Sequence, residues 1–274
     1  MDFVVEPAYG WINIREGEAN VSEYLLDNRE VQAGDRFGAL SAMFDGVTDR
    51  HFSAIGVRPG WRCWEIGAGG PGVPGLLAGR GAQVLATDIE IGWLDSAPEG
   101  VEVRQHDVVH DEIPGEFDLI HTRLVLAHLP ERDEVVRRLA SALRPGGWLF
   151  VEDAALELLS AVRVDLDGER KAVFDRIRAG FVSLLEQRGA SLHFGAELPR
   201  LFRGCGLVDV VCDARVPLES PGGVELERAN IAQVRGGLVA QGFATDAEID
   251  AYLAGLDTFT PPGPPLISAY ARRV

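Results

Sequence analysis

Residues 64–75 read WEIGAGGPGVPG, an apolar run that ends in a glycine-rich turn. The run has the composition of a buried strand, and the turn hands it over to a helix, the arrangement that nucleotide-binding folds use. Two templates fit. Gly67, Gly69 and Gly72 give G-x-G-x-x-G, the fingerprint in which a helix N-terminus receives the pyrophosphate of a dinucleotide. Glu65, Gly67 and Gly69 give instead an acidic residue two positions before G-x-G, a pattern used for a different adenosine-bearing cofactor. The two counts imply different chemistries, and the stretch alone does not separate them.

Within the loop, Pro71 and Pro74 each remove a backbone amide, whereas a pyrophosphate site relies on several N–H groups converging at the helix start. The helix that follows, VPGLLAGRG, is short and interrupted by Gly75 and Gly79. Both features suit a ligand with a single carboxylate, approached closely by the backbone at Gly67, Ala68 and Gly69.

Outward from this turn the pattern alternates as in a parallel sheet with crossover helices. Strand-like runs are WRCWEI (61–66), AQVLATD (82–88), VEVRQHD (101–107), FDLIHT (117–122) and GWLFVED (147–153). ERDEVVRRLASAL (131–143) places Val135, Val136, Leu139 and Leu143 on one helical face. Residues 21–60 read as two helical pieces, VSEYLLDNREVQAGDRFGALSAMF and a second through HFSAIGV. After Asp153 the rhythm changes to two helical segments, AALELLSAV and GERKAVFDRIRAGFVSLLEQRG, before helix GAELPRLFRGCG, strand LVDVVCDARVPL (207–218), two further helices and a last strand PLISAYARRV. The expected division is an N-terminal helical lid (1–60), a core (61–153), a helical cap insertion (154–195) and the rest of the sheet (196–274). The Pro-rich TFTPPGPP (258–265) reads as a stiff loop feeding the final strand.

The composition bounds the partners. The 274 residues include 46% hydrophobic and 25% charged side chains, ordinary for a globular protein. Acidic residues number 42 against 26 basic ones, a formal net charge of -16, which disfavours nucleic acid and acidic membranes and favours a small-molecule substrate. Three cysteines (Cys63, Cys205, Cys212) without a C-x-x-C pair argue against a disulfide framework or zinc cluster. Together with an N-terminus lacking a basic and apolar leader, they lead to the expectation of a cytoplasmic protein.

In an open parallel sheet the ligand lies beyond the carboxyl ends of the strands. Those ends carry Glu65, then Asp88 and Ile89, then His106, Asp107 and Val108, then Thr122 and Arg123. Asp88 lies 21 residues beyond Gly67, the distance at which a carboxylate accepts the hydroxyls of an adenosine ribose. Asp107 is placed to accept from an exocyclic adenine amine, with the Val108 N–H offered to the ring; as an acid at a strand end it also suits a turn or cap. Glu152 and Asp153 end the fifth strand, where they are placed to orient an acceptor or to sit at a helix entry.

Across residues 60–153 the order WEIGAGG, ATDIE, RQHDV, FDLIHTRLVLAHLP and LRPGGWLFVED resembles the class I S-adenosylmethionine-dependent methyltransferases, in which a tight Pro-Gly-Gly turn precedes the fifth strand. One departure is Pro71, where the family commonly has a third glycine. The resemblance implies a Rossmann-like α/β fold with a seven-stranded, mostly parallel sheet and an antiparallel last strand. It implies S-adenosylmethionine as cofactor, and methyl transfer to oxygen, nitrogen or carbon of a small, secondary metabolite. Tyr24, in EYLLDN, resembles the lid position of small-molecule members. His128, in LAHLP, and His193, before the helix after the cap, are the candidate bases, since histidine accepts a proton near neutral pH. No paired-acid set follows strand four, so a metal-dependent branch is not expected. The resemblance leaves open a scaffold that binds the cofactor for a non-methylating reaction such as cyclisation. The dinucleotide oxidoreductase stays a weaker alternative, opposed by the two prolines and LRPGG. A homodimer is compatible with the resemblance, which does not fix the oligomeric state.

Overall fold

The computed structural model describes residues 25–274, so Tyr24, expected at a lid position, lies outside the described residues. Among the described residues, seven strands form one sheet in the order β3-β2-β1-β4-β5-β7-β6. The strands are β1 (Arg62–Ile66), β2 (Gln83–Asp88), β3 (Val101–Gln105), β4 (Phe117–Arg123), β5 (Leu143–Ala154), β6 (Val208–Arg215) and β7 (Leu266–Arg272). β1 to β5 run parallel, and β7 enters antiparallel between β5 and β6. The expected fold class is therefore observed. Strand order reverses between β1 and β4, and this switch point opens the crevice in which such sheets take ligands.

Helices cover both faces because the central strands are apolar on both sides. Trp64, Ile66 and Ile120 pack against α3 (Arg132–Ser141) and α5 (Phe194–Gly204) through Val136, Leu139, Phe194 and Phe202. On the other face Cys63, Leu119 and Phe150 meet Phe52 and Ile55 of α1 (Gln32–Ile55) and Leu77 of α2 (Gly72–Ala78).

Three local readings are corrected. The two helical pieces expected over 21–60 are, in the described part, one helix of 24 residues, α1, preceded by turns at 25–31. Met43, Phe44, Val47, Thr48, His51 and Phe52 form a buried stripe through the supposed break, so packing carries the helix across Gly46. Within AALELLSAV the structure has a 3₁₀ turn at Leu156–Ala161 instead of an α-helix, and none of the turn's residues is buried. The LRPGG turn does not precede β5 but lies inside it as an irregularity: Leu143 pairs with Phe117, then the register shifts before Trp148 pairs with Leu119. Gly146 at φ +80° makes this possible, and a Cβ on Gly147 would stand 2.9 Å from the Phe117 carbonyl.

A separate helical cluster draws on two segments, one after β5 and one between β6 and β7. Phe174, Ile177 and Leu184 of α4 (Gly168–Glu186) pack with Ile231, Val234 and Leu238 of α6 (Gly223–Ala240) and with Ile249 and Tyr252 of α7 (Asp246–Gly255). Leu26 joins this cluster from the N-terminal side. Residues between β6 and β7 thus belong to the same helical layer as the segment after β5. Among the described residues, no helix is long and apolar enough to cross a membrane.

Candidate functional site

At the carboxyl end of β1 the chain turns through Gly67 (φ +62°) and Gly69 (φ +61°), a left-handed backbone that other residues adopt only under strain. A Cβ on Gly67 would fall 2.3 Å from Val125 Cγ2, and one on Gly69 would fall 2.5 Å from Phe37 Cε1. The loop is therefore a close-approach surface, bounded by one side chain from the β4 loop and one from α1. The Ala68 N–H donates to the Thr87 carbonyl at 3.0 Å and ties the turn to β2.

Asp88 ends β2 beside this turn and is 4% exposed. Its Oδ2 accepts the Gly69 N–H at 2.9 Å, and its Oδ1 accepts the Glu90 N–H at 3.0 Å. Burial raises the pKa of this carboxyl, opposed by those two amides and by the Asn28 side chain. Each carboxylate oxygen keeps a second lone pair for a hydroxyl. At the end of β4, Thr122 stands in register with Ile66, and its buried Oγ1 has no hydrogen-bond partner among the described residues. A glycine cradle, an acid at the next strand tip and an orphaned buried hydroxyl at the switch point together fit an adenosyl cofactor. Ile89 follows Asp88 and is 40% exposed, with its carbonyl accepting from Gln105 Nε2 at 2.9 Å.

The third strand tip is more occupied. His106 packs its ring on Trp64 and sets Nε2 3.0 Å from the Glu112 carbonyl. Asp107 folds its carboxylate back onto its own turn: Oδ1 accepts the Val109 N–H at 2.8 Å, and Oδ2 meets His110 Nδ1 at 2.8 Å. Burial works against its charge, yet the His110 contact and the turn amides hold its pKa below the usual carboxylate value. Val108 buries its side chain in the main core, while its carbonyl takes a hydrogen bond from Arg138.

Beneath the glycine loop lies a charged cluster. Glu65 is 1% exposed, and its Oε2 lies 2.5 Å from Nδ1 of fully buried His121. His121 Nε2 approaches Glu152 Oε2 at 3.3 Å; Glu152 also accepts from Ser268 at 2.6 Å and from Thr48. Arg123 bonds Thr48 Oγ1 at 3.0 Å and Asp45 at 2.9 Å, clamping α1 onto the end of β4. Burial disfavours the imidazolium, but the Glu65 charge and the hydrogen bonds it donates to both carboxylates prevail and raise His121 to about 9. Burial also opposes the charge of Glu152, yet contact with His121 holds its pKa below normal, whereas burial dominates at Glu65 and raises it. Glu65 thus supports the loop from below, and Arg123 fastens the helix above it.

The candidate bases sit in different surroundings. His128 closes a 3₁₀ turn (Leu126–His128) directly after Val125, the residue against Gly67. Burial, aided by the charges of Arg36 and Arg132, lowers it to about 4, so its imidazole is neutral at physiological pH. Asp153 holds that turn by accepting the Ala127 N–H at 2.9 Å, and burial raises its carboxyl to about 7. His193 is exposed at the start of α5 and pairs with Glu157 at 2.7 Å.

Sequence reading did not single out His121, Thr48, Ser268 or Phe37. A signal existed for the first: β1–β4 pairing sets Glu65 opposite His121, and β4–β5 pairing sets Arg123 opposite Glu152, so three adjacent strands carry ionisable residues at matching heights.

The sheet order, the glycine turn and the acid at β2 define a Rossmann-like fold. Residues 64–151 match the family model described as a methyltransferase domain. Methyltransferase str3 of Strobilurus tenacellus is 30% identical over 190 residues, covering 65% of this chain and 65% of that protein. Ubiquinone biosynthesis O-methyltransferase of Chromobacterium violaceum is 34% identical over 111 residues, 37% of this chain and 46% of that one. The chain thus spans less than two thirds of these curated relatives. Among solved structures, Haemonchus contortus phosphoethanolamine N-methyltransferase 2, bound to phosphomonomethylethanolamine and S-adenosylhomocysteine, superposes at TM-score 0.55 with 17% identity, over 91% of this chain and 60% of that one. The YcgJ protein of Bacillus subtilis gives TM-score 0.51 at 17% identity, over 84% of this chain and 97% of that one. Over residues 64–151 the chain is similar to the methyltransferase domain family, and over 190 residues to a curated methyltransferase.

Proposed function

We propose that the protein transfers a methyl group from S-adenosylmethionine to an oxygen, nitrogen or carbon of a small metabolite of the secondary type. The observation that carries this reading is the buried Asp88 carboxylate bonded to the Gly69 amide, which joins the ribose acid and the glycine turn into one unit. When bound, the cofactor supplies an electrophilic methyl group on a sulfonium. Gly67, Ala68 and Gly69 offer a backbone surface to its methionine part, Asp88 accepts its ribose hydroxyls, and Asp107 with Val108 borders its adenine. Arg123, Asp45 and Thr48 fix α1 over the loop, which keeps water from the reacting edge. Neutral His128 takes the proton of a hydroxyl or amine acceptor, and His193 with Glu157 stands at the surface beyond it. The names of the relatives, a methyltransferase and an O-methyltransferase of ubiquinone biosynthesis, support a small-molecule acceptor. The net charge of -16 supports a reading without nucleic acid or membrane partners.

Titration calorimetry with S-adenosylmethionine, S-adenosylhomocysteine and NADH tests the cofactor. Dissociation constants on the order of micromolar are expected for the first two and no heat for NADH; binding of NADH alone overturns the reading. Incubation with S-adenosylmethionine and candidate acceptors is expected to give products heavier by one methyl group.

A further inference from the structure

Between the 3₁₀ turn at Leu156–Ala161, the loop after it and α4 lies a cavity of about 450 Å³, a volume in the range that encloses a small organic ligand. Leu159, Val162, Val164 and Phe174 form its apolar lining. Arg163, Lys171 and Arg178 bring three cations to it against one anion, Asp175. In a chain of net charge -16 this is a local reversal of sign, and Lys171 is the only lysine in the sequence. Asp175 holds the Lys171 ammonium at 2.6 Å, whereas Arg163 has no hydrogen bond or ion pair among the described residues.

Arg178 is fixed from behind. One guanidinium nitrogen donates to Glu227 at 3.2 Å and another to the Pro262 carbonyl at 3.3 Å, with the group 5.6 Å from the centre of the Phe174 ring. The second oxygen of Glu227 accepts the Tyr252 hydroxyl at 2.5 Å, and both Glu227 and Tyr252 are buried. A buried carboxylate costs stability that an apolar pair would not, so this triad contributes orientation more than cohesion. Guanidinium carries five N–H donors, and the two bonds to protein leave others for a ligand. Packed apolar side chains link the wall of the cavity to the glycine turn. A Cβ on Gly263, next to Pro262, would stand 2.7 Å from Met43 Sδ; Met43 clusters with Leu40 and Leu124, and Leu124 precedes the Val125 that touches Gly67.

We propose that this cavity binds acceptor molecules that carry a carboxylate on an apolar body, with Arg178 and Arg163 taking the carboxylate and Phe174 and Leu159 the body. As an acceptor site it rests on the methyl-transfer reading, while its ligand class rests on the lining alone.

Saturation-transfer NMR and calorimetry on the full chain, with and without S-adenosylhomocysteine, test it. The probes are ω-phenyl carboxylates with two to six methylenes, the matching alcohols, and inorganic phosphate. At least one carboxylate is expected to bind about tenfold more tightly than its alcohol. Arg163→Ala and Arg178→Lys are each expected to weaken it about fivefold or more, with unchanged thermal midpoint for Arg163→Ala and unchanged S-adenosylhomocysteine affinity for both. Arg163 makes no hydrogen bond or ion pair among the described residues, so its variant keeps the test independent of folding. Equal binding of acids and alcohols, phosphate binding as tightly as the best carboxylate, no binding across the series, or indifference to both substitutions overturns the proposal. Failure of S-adenosylhomocysteine to bind, with carboxylate binding intact, strikes the methyl-transfer reading and leaves the site standing.

Discussion

His121 and Glu65 meet across the β1–β4 ladder at 2.5 Å, both buried, and Glu152 approaches the imidazole from the other side. The glycine loop is therefore founded on a charge cluster with no access to solvent. Replacing His121 by Gln leaves two buried carboxylates without their cation, a loss expected to cost about 3–5 kcal/mol in urea denaturation. The pH dependence has a defined sign. A histidine raised from its ordinary 6.5 to about 9 contributes fully below pH 6.5, and the contribution is lost as pH climbs through about 9. Wild-type stability should fall over that window, and His121→Gln should flatten the fall; parallel profiles for the two proteins would show that His121 is not the titrating group.

Asp88→Ala removes the acceptor at the tip of β2 and frees the Gly69 amide. Affinity for S-adenosylhomocysteine is expected to drop by about 1–3 kcal/mol, and a calorimetric titration indistinguishable from wild type would remove Asp88 from the cofactor site.

Gly69→Ala forces a side chain into a left-handed backbone and against Phe37 at 2.5 Å. The backbone alone costs about 1–2 kcal/mol. The variant should bind cofactor more weakly and unfold earlier, and Phe37→Ala in the same chain should recover part of the affinity by making room.

His128 is held neutral, with its pKa lowered to about 4, by burial and two arginines. If it takes the acceptor proton, the acid limb of kcat lies near pH 4 instead of near 6.5, because the neutral form persists down to that value. His128→Ala is expected to reduce kcat by about 10²–10⁴-fold with little change in S-adenosylhomocysteine affinity. His193→Ala, which disturbs only an exposed pair with Glu157, should change kcat far less. The opposite ranking would move the base to the α5 entrance.

The positions of the central strands were legible because each is an apolar run closed by a turn, a signal contained within ten residues. Asp88 and the glycine turn were legible for the same reason. The continuity of α1 was not: Gly46 and the polar residues around it break local periodicity, and only the stripe from Met43 to Phe52, seen against the sheet, explains the helix. Nor was the extent of the helical cap, since Ile177, Leu238 and Ile249 are distant in sequence and meet only in space. His121 appeared as one polar residue inside a strand; its meaning needed the register that sets it opposite Glu65. Asp107 shows the converse, an acid at an informative position whose oxygens are both engaged by its own turn.

β7 lies inside the sheet, between β5 and β6, although it is the last of the seven strands in sequence. Without β7, β6 has no strand partner and the outer edge of β5 is unpaired. Such edges are templates for association with other chains. They close only when residues 266–272 emerge, and the same event delivers Ser268 to Glu152. Folding of the platform under the glycine loop is thereby tied to completion of the strand order, so a nascent chain lacking β7 presents both an exposed edge and an incomplete charge cluster to the cell's quality control.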